Sequence, residues 1–210
     1  MFISPMKGGN KMKAKETAIV LIEFQNEFCK EGGKLHDGVK GEIARQNTIQ
    51  NAAKLAEGAR KKGALVIHSP FIFNEKYFDD HQMQGIVKAV ADNDAFREGT
   101  WGAEIIDELK PQEGDEVVGG KCTLCGFNKT NLDELLQEGN IKNVVIGGFL
   151  TNFCVESTAR TAYDKGYGVT IMKDATAATS EEEQNHAEAK IFPLLGQTLS
   201  VDQFLEQLEE

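Results

Sequence analysis

Cysteine is scarce in this chain, with only Cys29, Cys122, Cys125 and Cys154 among 210 residues. That is too few for a disulfide scaffold at this length, and a reducing compartment keeps such residues as thiols, so each is core filler, ligand or nucleophile. Positive charge is in deficit as well. Twenty-three Lys and Arg stand against 33 Asp and Glu, a net charge of −10, which repels phosphate backbones and anionic lipid and argues against nucleic acid or a membrane surface as partner. No apolar run approaches the roughly 20 residues of a membrane span, and the N-terminal stretch lacks the unbroken apolar core of a signal peptide. The expected location is the cytoplasm. Nor does any Pro-rich or Ser-rich linker mark a domain boundary. Residues 1–15 read as a disordered leader or vector-derived remnant, with Met12 as an alternative start, and residues 16–210 read as a single domain.

What is present is 40% hydrophobic and 27% charged side chains, enough to bury a sizeable core. Short β-branched runs alternate with helical spacing. Residues 18–22 are nearly uninterrupted apolar, as expected of a strand buried on both faces. From 39 to 62 the positions Ile49, Ala52, Ala53, Ala56 and Ala59 recur at helical spacing before Gly63, predicting one long helix. Residues 64–67 are the second strand, followed by a long looser stretch to Trp101. Strands are expected at 116–118, 143–146, 169–172 and near Thr198. Helices are expected at Leu132 to Leu136, begun by Thr130 with Asp133 and stopped by Gly139, at 154–165, at 181–192, and from Asp202 onward. The alternation predicts an α/β fold of three αβα layers, with a mainly parallel, roughly six-stranded sheet and right-handed crossovers.

In an open α/β sheet, ligands bind outside the carboxyl ends of the strands. Three reactive residues fall there: Glu23 after the first strand, Lys121 after the 116–118 strand, and Cys154 where a helix follows the 143–146 strand. A thiol in the first turn of a helix faces unpaired N–H groups and the positive end of the dipole, which favour the thiolate, and a nearby Lys adds to this. A carboxylate beside it takes the proton and later delivers it to a leaving group. On spacing alone, the default reading of Cys154 is a small buried apolar residue at a strand-to-helix joint. Cys122 and Cys125 form a single Cys-x-x-Cys without a second pair, for which packing is the default over zinc. Gly119-Gly120-Lys121 is no P-loop, since neither the glycine spacing nor a following Ser or Thr is there. His68 sits at a strand end, and Phe71, Phe73, Trp101 and Phe127 are candidates for an apolar wall.

The segment Gly148-Phe-Leu-Thr-Asn-Phe-Cys-Val-Glu-Ser-Thr-Ala-Arg-Thr-Ala-Tyr-Asp-Lys-Gly-Tyr167 resembles the nucleophile segment of the isochorismatase-like cysteine hydrolases, the superfamily that includes nicotinamidases. Val20-Leu-Ile-Glu-Phe-Gln-Asn-Glu-Phe28 resembles their first strand and its Gln-Asn-acid-Phe turn. Gly99-Thr-Trp-Gly-Ala-Glu104 and Asp115-Glu-Val-Val-Gly-Gly-Lys121 follow in the family's order, so the likeness runs from about Thr17 to Gln184. It implies a triad of Cys154 as nucleophile, Glu23 as acid/base and Lys121 as the cation between them. It also implies a cis peptide between Phe149 and Leu150, an oxyanion hole from the Leu150 and Cys154 N–H groups, and a homodimer or larger homo-oligomer. Phe28, Trp101, Phe127 and His68 are the expected substrate contacts.

Two departures stand out. The family usually carries Asp where this chain has Glu23, one methylene longer. Nicotinamidases place an Asp-x-His metal motif after the second strand, where this chain has Phe71 and Phe73, so no metal or other cofactor is expected and nicotinamide is demoted as substrate. The implied activity is hydrolysis of a C–N bond in a small amide or ureido compound through a thioester. The alternatives are an isochorismatase-type vinyl ether hydrolase, whose chemistry needs no thiol nucleophile, and a non-catalytic binding protein on the same fold.

Overall fold

The computed structural model describes residues 11–74 and 84–210. Its sheet is built from β2 (Thr17–Ile22), β3 (Leu65–Ser69), β4 (Glu116–Val117), β5 (Asn143–Phe149), β6 (Gly168–Ala177) and β7 (Gln197–Leu199). Their spatial order is β4-β3-β2-β5-β6-β7, and every pairing is parallel. A separate two-stranded parallel ribbon joins β1 (Met12–Lys13) to β8 (Leu208–Glu209).

The period-2 geometry of a strand sends alternate side chains to opposite faces. Ile19, Leu21, Val66, Val145 and Met172 point into one core, while Ala18, Val20, Ile22, Val144, Ile146 and Ile171 point into the other. The first core is closed by α2 (His36–Gln46), α3 (Thr48–Lys61) and α8 (Val201–Gln207). The second is closed by α5 (Leu132–Glu138) and α6 (Glu156–Asp164) through Leu132, Leu136, Ala159 and Ala162. This is the three-layer αβα arrangement with six parallel strands that the alternation predicts.

Several boundaries differ from expectation for identifiable reasons. The single helix expected over 39–62 is two, because Asn47 takes a left-handed conformation at φ 52° and turns the chain between α2 and α3. Asn tolerates that region better than other side chains. The stretch after β3 contains a helix, α4 (Gly85–Asp92), where a loop was expected. The helix expected over 181–192 is regular only as α7 (Glu181–His186), continuing as a wider π turn at Ala187–Ile191 and a tight turn at Phe192–Leu194, where Pro193 has no N–H to extend it. Thr130 accepts the Leu132 N–H at 3.2 Å and donates to the Gly126 carbonyl at 2.5 Å, so it supports the start of α5 from just outside. At the amino end, Met12 is buried and β1 pairs with β8, so residues 12–15 of the expected leader belong to the fold. Lys11 is exposed beside them, and residues 1–10 of that leader lie outside the described residues, as do residues 75–83 of the long stretch that follows β3.

Candidate active site

The chain lays down β2, β3 and β4 outward in one direction and then returns to place β5 on the other side of β2. This reversal opens a crevice at the carboxyl ends of β2 and β5, where doubly wound sheets bind ligands. Glu23 and the turn carrying Cys154 lie at those two ends.

Glu23 is the residue after β2, at φ 58°. A left-handed backbone in a non-glycine residue costs roughly 1 kcal/mol and often marks a functional position. Its N–H donates to the Ser69 carbonyl at 3.1 Å, and its own carbonyl accepts from the Gln25 N–H at 2.7 Å, which locks the turn. Lys121 is fully buried. Its ammonium donates to Glu23 Oε1 and, at 2.8 Å, to the Thr123 carbonyl, and it lies 5.0 Å from the centroid of the Phe71 ring. Burial works against the charge on Lys121, but the Glu23 carboxylate beside it outweighs this, so its pKa is raised.

Cys154 sits in the π turn Thr151–Val155 that leads into α6, and the bond between Phe149 and Leu150 before it is cis. Burial, reinforced by the Glu23 carboxylate that hydrogen-bonds the thiol, pushes its pKa well up; Lys121 and the Leu150 amide pull the other way. The expectation that the helix start and a lysine would favour a resting thiolate is thereby corrected. Lys121 is already engaged by Glu23, and a thiol removed from water resists ionisation. The resting pair is a protonated thiol beside a carboxylate, with the Leu150 amide facing the sulfur.

A cavity of about 180 Å³ opens over Glu23, Cys154 and Leu150. Phe28, one of the expected contacts, lines it. The other three do not. His68 is buried behind the sheet edge, its Nε2 3.1 Å from Asp115, whose carboxylate also receives two Arg60 bonds at 2.9 and 2.6 Å. Burial lowers the His68 pKa, with Asp115 opposing. Trp101 is 50% exposed on the surface near Gly32, and Phe127 stacks on Tyr167 at 6.3 Å. The positions of the nicotinamidase metal motif hold buried rings: Phe71 lies against Lys121 and Phe96, and Phe73 packs in the core.

The wall instead comes from Leu35 just before α2, Val39 of α2, Val87 and Val90 of α4, and Phe71, Phe96 and Leu124. Sequence reasoning missed most of these because an apolar helical face looks alike whether it meets core or cavity. It also missed the buried polar residues that brace the site. Gln25 donates to the Phe71 and Ala103 carbonyls at 2.8 and 2.7 Å and accepts the Phe71 N–H at 2.8 Å. Glu27 accepts from the Phe96 and Lys34 N–H groups at 2.9 and 2.7 Å. Gly102 leaves room for this carboxylate, since an added Cβ would fall 2.5 Å from it. The Gln-Asn-acid-Phe turn was the available signal for both. Gln184 accepts the Thr151 hydroxyl at 2.6 Å and the Ala178 N–H at 3.0 Å, steadying the Cys154 turn; no local pattern announces it.

Comparison with known proteins agrees with this architecture. The ureidoacrylate amidohydrolase RutB of Rhizobium rhizogenes is 32% identical over 177 residues, covering 79% of this chain and 72% of that protein. The structure of N-carbamoylsarcosine amidase from Thermoplasma acidophilum superposes with a TM-score of 0.71 at 25% identity, over 89% of this chain and 97% of the other. A cysteine hydrolase from Pseudomonas syringae pv. phaseolicola shares the fold with a TM-score of 0.81 at 23% identity, over 96% and 98% of the two chains. The model of the isochorismatase domain matches residues 17–203, nearly the whole of the described sheet and its helices, and the chain therefore belongs to the isochorismatase family of hydrolytic enzymes.

Proposed function

We propose that this enzyme is a cysteine hydrolase that cleaves a C–N bond of a small amide or ureido compound through a thioester on Cys154. The observation that carries the reading is the meeting of one thiol, one carboxylate and one buried ammonium at the base of a cavity at the sheet's switch point. The named activities of the relatives, an amidohydrolase and an amidase, support it.

The chemistry follows from the resting state. As the Cys154 sulfur attacks the carbonyl carbon, its proton passes to Glu23, so no free thiolate need accumulate in the buried site. The oxygen gains negative charge opposite the Leu150 and Cys154 amides. Glu23 then protonates the departing nitrogen and the thioester forms. Water enters, gives a proton to Glu23 and attacks the thioester; collapse of the adduct releases the acid and returns the proton to sulfur. Lys121 stays paired with Glu23 throughout and offsets the charge that the cycle moves between oxygen and sulfur. Vinyl ether hydrolysis would leave Cys154 without a role. A non-catalytic binding protein would have no need of a buried proton-transfer pair. Thiol usage and the absence of any described helix able to cross a membrane fit action in the cytoplasm, and the family resemblance supports a homodimer or larger homo-oligomer.

A screen of small amides and ureides with ammonia detection tests the reading. Cys154→Ala is expected to abolish release, while Cys122→Ala and Cys125→Ala retain most of it. Iodoacetamide labelling should be fastest at Cys154, because Glu23 takes the thiol proton as the sulfur attacks; preferential labelling of Cys122 or Cys125 would overturn the assignment.

A further inference from the structure

Resting on the cysteine-hydrolase reading, we propose that the substrate is an uncharged carboxamide whose acyl group is apolar and compact, and that the site rejects amides bearing a carboxylate on that group. The argument starts from the cavity wall. Phe28, Val39, Phe71, Val87, Val90 and Phe96 are all buried apolar side chains, contributed by four separate segments that converge over Cys154. The neutral polar side chains on the lining, Asn93 and Thr179, are exposed at the mouth. Among the described residues, no Lys, Arg or His lines the cavity, and its ionisable groups are Glu23 and Cys154.

Lys121 cannot serve as the missing cation. It lies beneath the lining, fully buried, with its ammonium on Glu23 and the Thr123 carbonyl and the Phe71 ring against it. A substrate carboxylate would therefore lose water against an apolar wall, gain no counter-ion from the described residues and approach a second carboxylate. An unpaired buried charge is among the most unfavourable arrangements in proteins. An amide group brings no net charge, and its carbonyl oxygen meets the backbone amides at Leu150 and Cys154. Size points the same way. An apolar cavity of about 150 Å³ accepts benzene, so the 180 Å³ over Cys154 has room for a small ring or a branched chain of about five or six carbons.

Two measurements test this. The first compares kcat/KM for isovaleramide and benzamide with that for succinamate and 3-ureidopropionate, by ammonia release. The neutral amides are expected to exceed the acids by on the order of 100-fold or more. Faster turnover of either acid would overturn the proposal while leaving the hydrolase reading intact. The second does not need turnover: isovaleraldehyde and succinic semialdehyde compete with iodoacetamide for Cys154. The thiol adds across the aldehyde carbonyl, forming a carbon–sulfur bond as the carbonyl π bond breaks, and the thiol proton goes to oxygen. Protection by isovaleraldehyde at concentrations at least ten times lower than succinic semialdehyde supports the proposal, even if no amide is hydrolysed and the hydrolase reading fails. Equal protection, stronger protection by succinic semialdehyde, or none from either aldehyde overturns it.

Discussion

Glu23 carries the most concentrated chemical demand in the molecule: a left-handed backbone, nearly complete burial, a bond from Lys121 and a bond to the nucleophile. Replacing it by Gln keeps the shape but removes the proton acceptor, so kcat/KM should fall by about 10²–10⁴. Burial still holds the thiol against ionisation in that variant, and the group that takes its proton is gone, so Cys154 should also alkylate more slowly than in the parent. Loss of turnover and slower labelling at an unchanged urea midpoint separate the acid/base role from general damage; retained turnover would count against Glu23. Shortening to Asp withdraws the oxygens by about 1 Å, and misplacement on that scale costs about 100-fold. Single-turnover kinetics on both variants provides the measurement. Phe71 and Phe73 bear on a second prediction, because benzyl side chains offer no ligand atom. Dialysis against a strong chelator should leave activity unchanged, and restoration of lost activity specifically by zinc, iron or manganese would contradict it.

β5 and β2, paired in parallel, approach very closely at Gly148 and Ile22. At Gly148, φ is 131° and an added Cβ would lie 2.0 Å from the Ile22 carbonyl oxygen, closer than any real contact. Gly148→Ala should therefore force β5 away from β2 and cost about 3 kcal/mol or more, read as a lowered midpoint of thermal or urea unfolding. The same displacement would shift Leu150 and the Cys154 turn, so residual folded protein should also lose activity. Gly38, which lines the cavity mouth and has nothing within 4 Å of an added Cβ, is the contrasting case in which Ala meets no steric conflict. Such differences belong to the packing of elements, since both residues are simply glycine in the sequence.

Over the whole molecule, buried thiols make stability depend on alkaline pH. Burial raises the pKa of Cys29 and, with Glu23, that of Cys154. The folded state keeps these protons, while the unfolded chain releases them above about pH 8.5. The unfolded state then binds fewer protons, so unfolding free energy falls as pH rises. The contribution is fully present below the unfolded value and is lost as pH climbs from there through the raised folded values. Urea midpoints should be level from pH 7 to 8 and decline from about pH 9, by about 1.4 kcal/mol per unit for each fully buried thiol. Cys29→Ala should make that decline shallower, whatever its effect on the starting level.

Much of this enzyme was legible in its residues. Continuous β-branched runs such as 144–146 fit the middle of a parallel sheet with both faces covered, and the alternating order of strands and helices then admits few topologies. The site chemistry was legible as a set of residues, because Glu23, Lys121 and Cys154 each follow a strand and stand in segments resembling one family. Tertiary structure decided how those groups share protons, since burial and mutual distance, not residue type, hold Cys154 as a thiol. It also decided which apolar residues meet the cavity: Leu55 of α3 and Val90 of α4 are both apolar helix positions in one core, yet only Val90 also lines the cavity that holds the nucleophile. Asn47 and Gln184 show the same limit. A left-handed turn or a long-range hydrogen bond is set by what packs around the residue, and that is a property of the assembled chain.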